Sequence, residues 1–407
     1  MRDKMEHALH KYKDRSHLPF FIIFCLFLAC RVLLTIPAWT NEALIIIKPI
    51  KTDLQSGFIW GAVLYTTYLI LSSGWRPWKI AGLLAILASA APLLYVPLEN
   101  SRNFDVIMSA VLIGLSFGRS FHRIIRLMLI TYVSALVVSV CGVIMGMTTN
   151  GLKIETYGKG LSLGTNHPNL VAFLIFEIII LLWYLYLKDK KALYTFLTFW
   201  TIGLLVMLIT KCRTITAMLM LFPLCAALFR KIPNARTKEK KQPRFKWLTG
   251  TFILMPVICW GITFLLATQM DALEHFTRGT FLHNPFVRFI QTGVAVKEYG
   301  FSFFPQNIAL DGSVYAILDG NVHNLILLDN TYAYYTLEYG LVYIAAALAW
   351  FCITNKRCVR ETDYSLLLIA VFFSIYELME RVPFQIGFNL LYFYPVTALK
   401  PIREDPL

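Results

Sequence analysis

Charged residues are scarce in this chain. Asp, Glu, Lys and Arg together make up 15% of its 407 residues, whereas apolar residues make up 57%. This composition excludes one soluble domain, because a single core in water cannot bury so much apolar surface. The sequence therefore predicts an all-α, polytopic membrane protein, since helices satisfy their own backbone groups in lipid.

Acidic residues are fewer than basic ones, 24 against 38, which leaves a formal net charge of +14. The basic residues stand in short clusters between apolar runs, an arrangement typical of membrane topology rather than of nucleic-acid binding. The strongest cluster, residues 230–246, is interpreted as a basic cytoplasmic loop. We therefore expect membrane lipid, and no nucleic acid, as a partner.

Three further signals are lacking. The histidines are scattered, without the close His, Cys and Asp spacing of a metal site, so neither a metal nor another cofactor is expected. Most of the eight cysteines lie inside apolar runs, which argues against a disulfide framework. No small-residue cleavage site follows the first apolar run, so that run is predicted to be a retained helix.

Several apolar runs have roughly the length needed to cross a bilayer. They lie near residues 18–36, 56–72, 79–97, 104–118, 123–145, 169–187, 192–210, 214–229, 247–269, 331–353, 363–379 and 384–399. The sequence thus predicts about twelve transmembrane helices in a single transmembrane domain, residues 1–407.

Lys and Arg concentrate in alternate connections between these runs, from the N-terminal tail to the C-terminal tail. The positive-inside rule therefore predicts that both termini are cytoplasmic. The connection at 270–330, between the ninth and tenth helices, is then external and far longer than a turn requires. Long loops on a rigid scaffold tend to carry function, so this large external loop is the predicted location of site residues.

Three of the predicted helices begin at the outer face with polar residues. The sixth opens with Asn166-His167-Pro168-Asn169, the eighth follows Lys211-Cys212-Arg213, and the tenth opens with Asp329-Asn330. The N-terminus of a helix carries free N–H groups and the positive end of the helix dipole. With Arg and Lys beside it, such a terminus favours phosphate or pyrophosphate.

Each motif also has a plainer interpretation. In this interpretation, His167 and Asp329 are helix caps and have no further role. Arg213 can extend to lipid phosphates, and Arg288 can be the polar side of an amphipathic segment lying on the membrane surface. Three residues near the last outer turn fit membership of the site and a merely charged helix end equally well: Glu377, Glu380 and Arg381.

The order of these motifs resembles that of the O-antigen polymerase and ligase family. The resemblance rests on Asn166-His167-Pro168-Asn169, on Thr210-Lys211-Cys212-Arg213-Thr214, and on Arg288 followed by Gly300, Asp329-Asn330 and Glu338-Tyr339-Gly340. It covers roughly residues 155–345. Members of that family are bacterial membrane-embedded C-type glycosyltransferases, and the resemblance implies the same fold here.

The resemblance also implies a reaction. A glycan on polyprenyl pyrophosphate would pass to an acceptor sugar hydroxyl with inversion and without a metal. Such a transfer needs a base within hydrogen-bond reach and stabilisation of the departing pyrophosphate. Flippase and chain-length regulator proteins are the implied protein partners, and the site would lie on the outer face of the cytoplasmic membrane.

Residue roles follow from position in the family's motifs. The implied pyrophosphate contacts are Arg213, Arg288 and Lys211, and the other implied substrate contacts are His167, Asn169 and Asn330. Asp329 stands where ligases have His, a departure that favours a capsular or exopolysaccharide polymerase over a ligase. His323 competes with Asp329 for the role of general base.

Two functions of other classes remain open. A transporter or flippase of lipid-linked glycans would also need many helices and outer-face cations. Its expected signature is charge within the spans, where the sequence offers little, Arg31 being the clearest case. A scaffold subunit without chemistry is the third alternative, against which the long outer loop with its Arg and His residues argues.

Overall fold

The computed structural model describes most of the chain, in a series of segments. They are residues 17–28, 37, 39–71, 112–114, 116, 119–148, 153–155, 158–165, 167–230, 243–280, 283–306, 308, 314–318, 321–325, 328–380 and 389–397. Two compact units are distinguished. The first comprises Met1–Leu87, Met108–Met220 and Val396–Leu407, and the second Ala88–Ile107 and Leu221–Pro395.

The first unit is built from long helices and one short hairpin. Its elements are α1 His17–Leu28, α2 Asn41–Leu71, α3 Phe121–Ile144, β1 Lys153–Glu155, β2 Gly158–Gly160, α4 Pro168–Leu182 with a π-helical extension Trp183–Leu187, and α5 Ala192–Thr210. The helix α6, Arg213–Arg230, contains the boundary between the units. The strands β1 and β2 are antiparallel.

The helix α4 shows how local sequence sets these elements. His167 is its N-cap, and Pro168 follows at the first helical position, where the missing N–H of proline costs nothing. Nearly every side chain after it is apolar, and α4 packs against α3, burying Phe173 and Ile180 of α4 together with Met128 of α3. The helix is therefore stabilised by packing on several sides, as expected for a membrane bundle.

The second unit carries the remaining elements. They are α7 Pro243–Ile253, α8 Met255–Ala267, α9 Met270–Thr277, α10 His283–Tyr299, the antiparallel strands β3 Val314–Leu318 and β4 Asn321–Leu325, α11 Thr331–Arg360, α12 Tyr364–Tyr376, and the 3₁₀ turn Leu390–Tyr392. A second 3₁₀ turn, Tyr394–Val396, contains the boundary between the units. The predicted external connection 270–330 thus contains two helices and a hairpin.

Four of the described helices are long and apolar enough to cross a membrane: α3, α4 with its extension, α5 and α11. A fifth span exists if α8 and α9, which meet at 78°, count as one broken span. Large apolar side chains are exposed along these helices, Leu204 and Leu208 of α5 among them. The described helices thus agree with a polytopic membrane protein.

Some predicted spans cannot be compared with the structure, and several differ from it. The run at 79–97 and most of 104–118 lie outside the described residues. The helix α2 begins at Asn41, well before the run at 56–72, and the run at 247–269 is divided between α7 and α8. Within the run at 384–399, residues 389–397 form two 3₁₀ turns instead of an α-helix. The side chain of Asn389 caps the first turn, and Pro395 in the second lacks the N–H that a continuing helix needs.

The helix α11 is interrupted at Gly340, whose φ of 86° and ψ of 167° are accessible only to glycine. The segment 300–306, which we call the Phe loop, fills the break. Leu341 N donates to Ser302 O at 2.8 Å and Val342 N to Phe303 O at 3.2 Å. The backbone groups freed by the interruption therefore find partners in the Phe loop.

Candidate functional site

A charged cluster lies in the second unit at the start of α11. Nη2 of Arg288, on α10, is 3.2 Å from Oε1 of Glu380 and 3.6 Å from Oδ2 of Asp329. The exposed fractions of the side chains are 17% for Arg288, 11% for Glu380 and 35% for Asp329. Asp329 is thus the most accessible member of this cluster.

The position of Arg288 argues against its interpretation as the polar side of a surface helix. The predicted amphipathic helix exists as α10, but Phe289 and Ile290 on its apolar face are buried within the protein. Arg288 faces two carboxylates instead of forming the solvent side of a surface helix. Its Nε is also buried and has no hydrogen-bond partner, which leaves donor capacity at the guanidinium.

Asn330 fixes the backbone beside Asp329. It is fully buried, and its Oδ1 accepts from Ala333 N at 3.0 Å, which makes it the N-cap of α11. Its Nδ2 donates to Leu378 O at 3.0 Å and to Thr263 Oγ1 at 3.2 Å. The side chain therefore ties α8, α11 and the end of α12 together, and this geometry favours a positioning role over direct contact with a substrate.

Two further contacts join the start of α11 to the end of α12. Thr331 N donates to Glu377 O at 2.9 Å, and Thr331 Oγ1 donates to Glu380 O at 2.6 Å. At the next residue, the buried Tyr332 hydroxyl lies 2.9 Å from both Glu377 Oε2 and Ser374 O. Glu377 is consequently engaged inside the protein, whereas Glu380 is turned toward Arg288.

In the first unit, Gly160 brings two of the sequence motifs together. Leu161 N donates to Ile209 O at 2.9 Å, which docks the β1–β2 hairpin on the end of α5. A Cβ on Gly160 would lie 2.3 Å from Thr210 O and 3.5 Å from Cβ of Pro168. The absence of a side chain at Gly160 therefore permits the close approach of the two helix ends.

The predicted residues of these motifs lie at helix ends. His167 Nδ1 accepts from Asn169 N at 3.1 Å, which agrees with the capping interpretation of His167. Lys211 has a left-handed backbone with a φ of 58° at the end of α5, and Arg213 is the first residue of α6. Both basic side chains are exposed.

Some predicted positions remain without a side-chain description. His323 lies on β4 opposite Ala316 of β3, and this placement concerns its backbone alone. Asn166, Arg381 and Arg31 fall outside the described residues. The substrate contacts predicted for Arg213 and Arg288 stay predictions, each within its own unit.

Sequence reasoning missed two buried features. Glu177 is fully buried in α4, and neither carboxylate oxygen has a hydrogen-bond partner. The signal was present, since Glu177 is the one acidic residue in the run from Pro168 to Leu187. The Tyr332–Glu377 pair had no sequence signal, because it depends on how α11 and α12 pack.

Comparisons of the chain with protein-family models, curated proteins and solved structures found no match. The family resemblance therefore rests on the motifs themselves.

Proposed function

We propose that the chain is a polysaccharide polymerase of the bacterial cytoplasmic membrane. It transfers a polyprenyl-pyrophosphate-linked glycan to a sugar hydroxyl of another lipid-linked repeat unit, with inversion and without a metal. About twelve spans in a C-type glycosyltransferase fold, cytoplasmic termini and an outer-face site belong to the same proposal. The observation that carries it is the Arg288–Asp329–Glu380 cluster, in which a partly exposed carboxylate is held beside a guanidinium at a helix start.

Asp329 is the proposed general base. It accepts the proton of the acceptor hydroxyl while that oxygen bonds to the anomeric carbon, and the bond from this carbon to pyrophosphate breaks with its electron pair leaving on the phosphate oxygen. The other nearby carboxylates fit this role less well, because Glu380 is more buried and Glu377 is bound to Tyr332. Arg288 orients the Asp329 carboxylate through their ion pair.

Electrostatics bear on where the pyrophosphate binds. The guanidinium of Arg288 already faces two carboxylates, those of Asp329 and Glu380, which compete with pyrophosphate for it. The Nε–H of Arg288 has no hydrogen-bond partner and is able to donate to an anion. An anion would reach the guanidinium only after one of the two carboxylates beside it moves away. Arg213 and Lys211, which are exposed at the start of α6 and the end of α5 in the first unit, are proposed as pyrophosphate contacts on the strength of their motif alone.

The length of α12 supports a recessed site. Its 13 residues extend about 20 Å at about 1.5 Å per residue, short of the hydrocarbon core of about 30 Å. Glu380, just after this helix, and its partner Arg288 would then lie below the membrane surface. A recess that excludes part of the water strengthens the hydrogen bonds and ion pairs on which transfer depends.

The test is polymerisation by the purified full-length protein. Polyprenyl-pyrophosphate-linked repeat units are expected to give a ladder of longer products with the wild type and none with Asp329→Asn, which keeps the size of the side chain but removes the carboxylate. Asp271→Asn is the matched control, because Asp271 is an exposed carboxylate in a surface ion pair with Lys297. It should retain the ladder.

Other outcomes reassign the function. If Asp329→Asn polymerises normally while His323→Ala at equal expression does not, the base is His323. A single transfer to a different acceptor without a ladder indicates a ligase. No transfer by folded wild-type protein from authentic repeat units would overturn the proposal.

A transporter or flippase of lipid-linked glycans is the second candidate, and Glu177 is the observation that favours it. An ionisable residue fully buried within a span is often part of an ion or substrate pathway. Reconstituted protein that moves lipid-linked glycan across vesicles without lengthening it would support this candidate. The loss of that movement in Glu177→Gln would place the carboxyl in the pathway.

A further inference from the structure

The Phe loop exposes three aromatic side chains within four residues. Phe301, Phe303 and Phe304 have exposed fractions of 52%, 69% and 61%. The loop belongs to the connection that charge patterning predicts to be external. In water, so compact an apolar patch is unfavourable, and such patches usually mark a surface that another molecule or a membrane covers.

The Phe loop is fixed to a candidate membrane span rather than extending freely from it. Besides the bonds to Leu341 and Val342, Gln306 N donates to Glu338 O at 3.1 Å and Gln306 Nε2 donates to Leu337 O at 2.8 Å. The loop therefore satisfies both broken ends of α11. Non-helical backbone in lipid is tolerated where it is satisfied in this way.

Close contact at Gly340 completes the docking. A Cβ at this position would lie 2.7 Å from the carbonyl oxygens of Phe303 and Phe304. Any side chain at Gly340 would therefore push the loop away from the helix. The position of the Phe loop and the glycine conformation of the break depend on each other.

The exposed surface of the loop continues that of the neighbouring helices. Val342 of α11, bonded to Phe303 O, is exposed beside it. The ring of Phe301 packs edge-on against Phe264 of α8 at 5.2 Å, and the next residue of that helix, Leu265, is exposed. Whatever covers this apolar face of α8 and α11 therefore also covers the Phe loop.

Charged residues near the Phe loop indicate its depth in the membrane. Lys297, near the end of α10, and Asp271 of α9 form a largely exposed ion pair with 3.7 Å between Nζ and Oδ2. Such charges belong in water or among lipid headgroups. The uncharged stretch from Leu341 to Asn355, before the basic residues at the end of α11, extends about 22 Å at about 1.5 Å per residue, short of the hydrocarbon core of about 30 Å. The break at Gly340 therefore lies within the hydrocarbon of one leaflet.

We propose that the Phe loop is a re-entrant element whose three phenylalanines insert into the hydrocarbon of one lipid leaflet. The occupant of the patch is the acyl chains of membrane lipid. The connection 270–330 is then external only in part, since its middle returns into the membrane at the Gly340 break. This proposal needs membrane embedding but not the transferase function, so each can fail without the other.

The test labels the wild-type protein in lipid nanodiscs with two photoactivated carbene probes, one dissolved in the lipid and one in water. Peptide mapping by mass spectrometry then locates the insertions. The lipid-soluble probe should label residues 301–304 as strongly as the exposed face of α5 at Leu204 and Leu208. The water-soluble probe should label Asp271 and spare the loop.

Two other results overturn the proposal. Labelling of residues 301–304 by the water-soluble probe would show that the loop is external throughout. If neither probe labels it, protein covers the patch, and the acyl chains of lipid are not its occupant.

A pair of glycine variants tests the role of the break. Gly340→Ala should undock the loop, so that residues 301–304 lose lipid-probe labelling and gain water-probe labelling. Gly279→Ala is the matched control, because Gly279 has a similar φ of 75° but no atom lies within 4 Å of the point that its Cβ would occupy. It should leave the labelling unchanged.

A third variant guards against misfolding. If Gly340→Ala does not accumulate, Gln306→Ala removes side-chain docking bonds and should produce the same shift to a smaller extent. A loop that stays lipid-labelled in both Gly340→Ala and Gln306→Ala would refute docking at the break.

Discussion

Replacing Asn330 by Ala should destabilise the second unit more than the loss of a helix cap would. A buried polar group left without a partner costs about 1–3 kcal/mol, and an N-cap replaced by Ala costs about 0.5–2 kcal/mol. Asn330→Ala strips the partner from the N–H of Ala333 and from the carbonyl of Leu378, both at 3.0 Å, and removes one of the two partners of the Thr263 hydroxyl. We expect a loss of about 2–4 kcal/mol, since such terms are not fully additive.

Asp363→Ala is the matched control for this substitution. Asp363 is also an N-cap, its Oδ1 accepting from Leu366 N at 3.0 Å at the start of α12, but it is only partly buried. Its loss should cost about 1 kcal/mol. Thermal unfolding of both variants in the same detergent measures the difference. Equal shifts would refute the idea that Asn330 ties three helices together, because a cap alone would then explain its contribution.

The remaining predictions concern the charged residues and the topology. Lys in place of Arg213 should abolish most polymerisation at normal expression, because Lys cannot form bidentate bonds with pyrophosphate; normal ladders with Lys and Ala variants would move the pyrophosphate site. Lys in place of Arg288 should also abolish most polymerisation, because the guanidinium that orients Asp329 is lost, and a normal ladder would contradict that role. Glu177→Met should raise the free energy of unfolding by about 1 kcal/mol or more, because the unpartnered carboxyl is removed, and destabilisation would contradict this reasoning. In intact cells, an impermeant thiol reagent should modify a cysteine introduced at Gly312 and spare one at Lys238.

Sequence patterning predicted the helical, membrane-protein character of the chain because hydropathy in lipid is a direct constraint. The ends of α5, at Thr210, and of α4, at Leu187 including its extension, coincide with the predicted runs. The run at 331–353 begins where α11 begins, but its interruption at Gly340 was not anticipated. A glycine in an apolar run has many uses, and only the backbone of the Phe loop shows why this one breaks the helix.

The sequence predicted which residues belong to the candidate site but not which of them contact one another. Arg288 and Asp329 were singled out by their motifs, and the structure places them 3.6 Å apart. Glu380 was noted as part of a charged helix end, yet it is the nearer partner of Arg288. Arg288 and Glu380 are far apart in the chain, and their pairing depends on where the short α12 ends. Hydrophobic periodicity locates the end of a helix only to within about two to four residues.

Tyr332 and Glu377 offer a test of whether the junction between α11 and α12 is one cooperative unit. The Tyr332 hydroxyl lies 2.9 Å from Glu377 Oε2, and both side chains are almost completely buried. Tyr332→Phe leaves a buried carboxyl without its partner, and Glu377→Leu deprives a buried hydroxyl of its carboxylate partner while Ser374 O stays at 2.9 Å. Each single variant should therefore lose about 1–3 kcal/mol of stability.

The double variant removes both polar groups, so neither is left unpaired. Its loss should be smaller than the sum of the single losses by a coupling energy of about 0.5–3 kcal/mol. A second cycle, Tyr332→Phe with Asp363→Ala at the opposite end of α12, should be additive because these residues share no contact in the described hydrogen bonds. Additivity in the first cycle would mean that the pair contributes no coupling. The position of Glu380, three residues beyond Glu377, would then depend on the other contacts of this junction, namely the bonds from Thr331 to Glu377 O and Glu380 O and the bond from Asn330 to Leu378 O.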